Sequence, residues 1–223
     1  MDDPSSLHPL RTLSSRPHIS NMVRYLSVRV RTTESSLFTE ISSLLLDVCR
    51  TMDQLESLFV EFFQSNSPFT FKDLSLVCSF RLRTLKVYQI FGGDSTLWQF
   101  MEAQKSIRTL CILLPSRQLE QLLQSMPEHR NLVSDLTLLE SLPEVVAVLA
   151  QGELSPLLRL HLLCRERLTP MPAMPTITSL RLRIAEPIPS LPHYLPFFTN
   201  LVSLWVTASH WQVLASYHPT PKC

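Results

Sequence analysis

Histidine, cysteine and arginine are the residues of this chain whose spacing bears on chemistry. "HLLC" at 161–164 sets His161 three residues before Cys164. On a strand that odd spacing sends the two side chains to opposite faces, so one metal ion gathers both only through a bulge, and no second ligand pair lies near in sequence. His8, His18, His129, His193, His210 and His218 are scattered, mostly beside proline or in expected turns. No Ser-His-Asp, Cys-His or paired-carboxylate arrangement can be assembled from a motif. The glycine pair of "FGGDS", 91–95, has no following G-K-[ST] and no G-x-G-x-x-G frame, and with 3 glycines in the whole chain a phosphate-cradling loop is nearly excluded. What is left is binding chemistry. Arg159, Arg181 and Arg183 suit a carboxylate or phosphorylated partner, or simply form a solvated face. The expectation is a protein that is not an enzyme, with no cofactor and no metal.

The elements that position these side chains repeat. Aligned on a leucine in the frame apolar-x-x-Leu-x-apolar, the chain reads "VRYLSV" 23–28, "LESLFV" 55–60, "LRTLKV" 82–87, "IRTLCI" 107–112, "VSDLTL" 133–138, "LLRLHL" 157–162, "ITSLRL" 177–182 and "LVSLWV" 201–206. The anchors Leu26, Leu58, Leu85, Leu110, Leu136, Leu160, Leu180 and Leu204 fall 20 to 32 residues apart. Alternation within each segment predicts a short strand burying one face. The spacers 37–52, 96–105, 117–126, 143–151 and 191–200 mostly carry helix-period apolar residues or helix-start signals. Ser95 and Ser116 are expected as caps, and Pro143 with Glu144 suits a first helical turn. "MPAMP", 171–175, reads as a stiff loop, because proline cannot join a hydrogen-bonded ladder. One strand-turn-helix unit of this size cannot bury its own apolar face, so neighbours must stack.

This pattern resembles the leucine-rich repeat of the ribonuclease-inhibitor-like or cysteine-containing class. "PHISNMVRYLSV", "MDQLESLFV", "FRLRTLKV" and "FTNLVSLWV" are similar in style to the repeat region of fungal F-box proteins. The resemblance implies an α/β solenoid, a right-handed β-α superhelix of about eight irregular repeats over residues 19–207. A flexible segment at 1–18 precedes it, and a tail or partial cap at 208–223 follows. The ladder of Asn or Cys that the repeat family places after Leu-x-Leu is missing. The residues before the first repeat are too few and too polar for an F-box, so a Skp-type adaptor is implied only through an F-box outside this chain.

In such a fold the side chains between the anchors line the concave face. The positions expected to meet a protein partner there are Tyr25, Arg29, Phe59, Lys86, Tyr88, Arg159, His161, Arg181, Arg183 and Trp205. Aromatics with arginine are the residues that dominate interface energetics. The repeat frame also turns Asp135, Thr137 and Leu139 outward. The resemblance implies a substrate-recognition surface of the kind used in ubiquitin ligases, and the competing expectation is a structural or decayed repeat fragment without a ligase role.

Bulk properties agree with a folded interaction protein. Of 223 residues, 45% are apolar and 17% charged, which argues against disorder. The formal net charge of +1 offers no whole-molecule field for nucleic acid or acidic lipid. No stretch approaches the roughly 20 apolar residues of a membrane helix, and "MDDPSSLHPLRTLSS" lacks the basic-then-apolar order of a signal peptide. Five cysteines without a C-x-x-C pair read as reduced, mostly buried thiols, and so as a cytoplasmic or nuclear protein.

Overall fold

The computed structural model describes residues 7–30, 34–62, 70–88, 95–125, 135–150, 157–164, 170–184, 191–208 and 211–216. The chain is α/β, with parallel strands alternating with helices, and it falls into two compact units. The first comprises Met1–Ile107 and Leu114–Glu128, the second Arg108–Leu113 and His129–Cys223.

The first unit holds helices α1 (His8–Ser15) and α2 (Pro17–Ser20), strand β1 (Tyr25–Val30), α3 (Ser35–Cys49), β2 (Ser57–Phe62), α4 (Phe71–Val77), β3 (Thr84–Tyr88), α5 (Ser95–Ala103) and α6 (Ser116–Gln124). β1, β2 and β3 pair in parallel, with Leu26, Leu58 and Leu85 in one lateral row and Val28, Val60 and Val87 in the next. All six are buried, each removing apolar surface worth about 1.5–3 kcal/mol from water. Phe38, Leu45 and Val48 of α3 and Leu97, Trp98 and Met101 of α5 fill the core beside them. Trp98 is fully enclosed because its indole N–H donates to Leu122 O at 2.9 Å.

The amino-terminal helix corrects one expectation. Residues 7–18, read from the sequence as a flexible segment, include α1, which packs on α3 with Leu7 buried and Arg11 ion-paired to Glu40. α4 was also missed in the repeat reading; it is only seven residues long. A capping box fixes its start, with Thr70 Oγ1 accepting from Asp73 N and Asp73 Oδ2 accepting from Thr70 N, each at 3.2 Å. Ser116 is the first helical residue of α6, with Pro115 in the cap position, so the expected serine cap is one residue out of place.

The second unit holds β4 (Thr109–Leu113), β5 (Leu138–Ser141), α7 (Pro143–Leu149), β6 (Arg159–Cys164), β7 (Ser179–Ile184), α8 (Leu191–Tyr194) with a 3-10 turn at Leu195–Phe197, β8 (Ser203–Ala208) and β9 (Trp211–Ser216). β4 through β8 run parallel in chain order, and β9 returns antiparallel along β8. Pro143 opens α7 as expected. Within 170–175 the proline-rich segment is irregular, held by Met174 N donating to Phe197 O at 2.7 Å and Asn200 Nδ2 to Pro175 O at 2.9 Å.

A recurring hydrogen bond marks the repeat in both units. The carbonyl two residues before the anchor accepts from two successive N–H groups of the next strand's approach. Arg24 O takes Glu56 N and Ser57 N at 2.9 and 3.0 Å, Glu56 O takes Arg83 N and Thr84 N at 2.8 and 3.0 Å, and Thr178 O takes Val202 N and Ser203 N at 2.8 and 3.0 Å. The same geometry at Arg108 O, which takes Thr137 N and Leu138 N at 2.9 and 3.0 Å, shows that the fifth repeat is framed three residues later than the sequence suggested. Leu139, not Leu136, pairs with Leu110 and Leu160, and it is fully buried. The place of the last apolar residue is taken by Ser141, whose hydroxyl donates to Ile112 O at 2.8 Å and so tolerates complete burial. Asp135, Thr137 and Leu139 are therefore not the outward set of that strand; Leu138 and Glu140 are.

Candidate functional site

Strand alternation gives β6 and β7 one buried and one open face. Leu160, Leu162 and Cys164, like Leu180, Leu182 and Ile184, are buried, while Arg159, His161 and Leu163, with Ser179, Arg181 and Arg183, stand on the other side. His161 and Cys164 thus occupy opposite faces of β6.

On the open face the parallel register assembles a row that no single strand contains. Glu140 of β5 pairs laterally with His161 of β6, His161 with Arg181 of β7, and Arg181 with Trp205 of β8. His161 Nδ1 lies 4.0 Å from Glu140 Oε2, and the Arg181 guanidinium sits over the Trp205 ring, 5.3 Å from its centroid. Trp205 stays 41% exposed, presenting an indole with a cation on its face. In the neighbouring row Leu163 pairs with Arg183 and Arg183 with Thr207, whose hydroxyl is sealed from solvent without a hydrogen-bond partner among the described residues. Arg159 belongs to a third row, opposite Ser179, so Arg181 has His161 rather than Arg159 as its lateral neighbour. Among the described residues no carboxylate pairs with Arg159, Arg181 or Arg183.

These side chains surround a recess of about 120 Å³ lined by Leu113, Glu140, His161, Leu163, Arg181 and Arg183. Burial holds the His161 imidazole below its ordinary value; Glu140 pulls the other way, and Arg181 and Arg159 add to the lowering. A neutral imidazole beside two guanidiniums without a carboxylate partner makes a site short of negative charge among the described residues.

In the first unit the expected binding residues are brought together differently. Arg29 Nε pairs with Glu61 Oε2 at 3.4 Å while its guanidinium lies 4.8 Å from the Phe59 centroid, and the Phe59 and Tyr88 rings sit 5.0 Å apart at 55°. Phe59 occupies the expected face but is only 6% exposed, because Arg29 and Tyr88 cover it; this corrects its assignment as a free contact residue. Lys86 is half-buried next to Phe59 in register, and Tyr25 is 62% exposed. Here Arg29 has a carboxylate partner in Glu61, whereas among the described residues the arginines of β7 have none.

Sequence reasoning missed Glu140, for want of the right frame, and a set of polar side chains that tie one repeat to the next. Gln104 Oε1 accepts from Leu82 N at 2.9 Å and its Nε2 donates to Phe80 O at 3.1 Å; Ser106 donates to Leu82 O at 3.0 Å; Asn21 Oδ1 accepts from Asp53 N at 3.2 Å. They stand just before the strands instead of at the position where the repeat family carries its Asn or Cys.

Cys49, Cys78, Cys111 and Cys164 form no disulfide among the described residues. Hydrogen bonding to Cys49, with burial, pushes the Cys78 thiol far up, and burial aided by Glu144 pushes Cys164 up to about 12, so neither is a thiolate nucleophile at neutral pH. Among the described residues no group of three His, Cys, Asp or Glu side chains is arranged to hold a metal ion, and no helix is long and apolar enough to cross a membrane. No protein-family model matches the chain, and no curated protein matches it significantly.

Proposed function

We propose that the chain is a leucine-rich-repeat protein of the ribonuclease-inhibitor-like kind, acting as a non-catalytic interaction module whose open strand face holds a protein partner. The observation that carries this reading is the row of Glu140, His161, Arg181 and Trp205, an exposed aromatic beside a guanidinium that has no carboxylate partner among the described residues, both on parallel strands. Arginine and tryptophan contribute most per residue to interfaces, and strands hold them in place at little entropic cost on binding. Tyr25 in the first unit offers a second exposed aromatic. A Skp-type adaptor, and with it a ligase role, enters this reading only through an F-box outside the chain. The location read from the cysteines and the amino-terminal residues, cytoplasm or nucleus, belongs to the same reading.

The test is affinity capture followed by mass spectrometry, with wild-type protein set against an Arg181→Glu/Arg183→Glu/Trp205→Ala variant of equal thermal midpoint. Partners lost with the variant support the reading. Identical captured sets contradict it.

A further inference from the structure

Resting on that interaction reading, we propose that the recess between β5, β6 and β7 is a seat for one phosphoryl group carried on a side chain of an extended peptide partner, with Arg181 and Arg183 as its donors.

Three features of the site select this chemistry. Arg181 and Arg183 are two residues apart on β7, so both project from the same face with no carboxylate partner among the described residues. Two guanidinium forks on one strand suit a tetrahedral oxyanion, which accepts from several donors at once. Next, charge is matched to a dianion. Arg181 and Arg183 line the recess with Glu140, and Arg159 is near enough to act on His161; among the described residues this leaves two positive charges over while His161 is neutral, and a phosphoryl group carries about −1.5 to −2 at neutral pH. A lone carboxylate would leave half of that charge unmet. Finally, the recess is small and has an apolar wall of Leu113 and Leu163, so it takes one group and not a polyanion. The chain's net charge of +1 likewise offers no extended field for a nucleic-acid backbone.

His161 makes the site responsive to pH. Glu140 faces it from β5, Arg159 on its own strand and Arg181 on β7, with Arg183 across the recess. A seated dianion reverses the repulsion that the arginines exert on an imidazolium. Binding therefore favours a proton on His161, a gain that ends on the acid side where the phosphoryl group itself takes up its second proton, at about pH 6.

Two probes test the proposal on the full chain. Inorganic phosphate is titrated while the His161 imidazole resonances are followed by NMR. A degenerate peptide library with one fixed phosphoserine is then compared with the same library carrying Ser or Glu there. The expected results are a phosphate-dependent upward shift in the His161 titration, retention of the phosphoserine library over both controls, and roughly 10- to 100-fold weaker retention by Arg181→Gln/Arg183→Gln protein of unchanged thermal midpoint. Equal retention of all three libraries, lost with Trp205→Ala, would overturn the phosphoryl seat while the interaction reading stands. Phosphate binding without retention of the phosphoserine library would overturn the peptide assignment. No effect of phosphate on His161 would overturn the site itself.

Discussion

The Arg181 guanidinium lies over the indole of Trp205, one strand away, and its other lateral neighbour is His161. A cation held between an aromatic face and a neutral imidazole is positioned without being neutralised. Replacing Arg181 and Arg183 by Glu is expected to abolish partner capture while moving the thermal midpoint by no more than about 4 °C, since two exposed positions contribute within about 0.5 kcal/mol each. Differential scanning calorimetry checks the second half; a large fall would make the arginines structural.

His161 sets a pH dependence of stability. Its folded-state value lies below its unfolded value of 6.5, so as pH drops through 6.5 the unfolded chain takes up the proton first and the folded state loses stability. Above 6.5 both states hold the neutral ring and the contribution is constant. Urea unfolding of wild type and His161→Gln at a series of pH values should show a shallower acid-side decline in the variant. Superimposable profiles would contradict the burial of His161 as its cause.

The three-residue reframing of the fifth repeat has its own test. Leu139 is buried between Leu110 and Leu160, so Leu139→Ala is expected to cost about 2–5 kcal/mol, as a core truncation does. An outward leucine would change stability by only about 0.5 kcal/mol. Chemical denaturation separates the two.

Gln104, just after α5, ties down the backbone that leads into β3. Gln104→Ala strands the buried N–H of Leu82 and the carbonyl of Phe80, a cost of about 1–3 kcal/mol for each unsatisfied group. The midpoint should fall by roughly 4–8 °C if the net loss is about 2 kcal/mol. An unchanged midpoint would mean that water restores both bonds.

Most of the strand positions were legible because Leu-x-apolar alternation is a local signal: β1, β2, β3, β4, β6, β7 and β8 each begin at the third residue of a segment that the repeat frame marked and run just past its end. β5 was not, because Ser141 stands where the frame demands an apolar residue and "DLTLLES" offers two leucine phases. The choice between them is made by the N–H groups of Thr137 and Leu138 donating to Arg108 O, far off in sequence. The site inherits that limit. Arg181, Arg183, His161 and Trp205 could be placed on one face from alternation alone, but that Glu140 completes their row depends on the register of β5. The coverage of Phe59 was equally hidden, since it comes from Arg29 and Tyr88 on neighbouring strands.

The most direct measurement is site-specific photo-crosslinking. A benzoylphenylalanine is placed at Trp205 on the open strand face, and in a second protein at Gln121 on the exposed side of α6. Each is irradiated in cell extract and the adducts identified by mass spectrometry. The account predicts discrete protein adducts from position 205 that disappear when Arg181 and Arg183 are changed to Glu. Adducts of equal kind and yield from both positions, insensitive to those arginines, would contradict it.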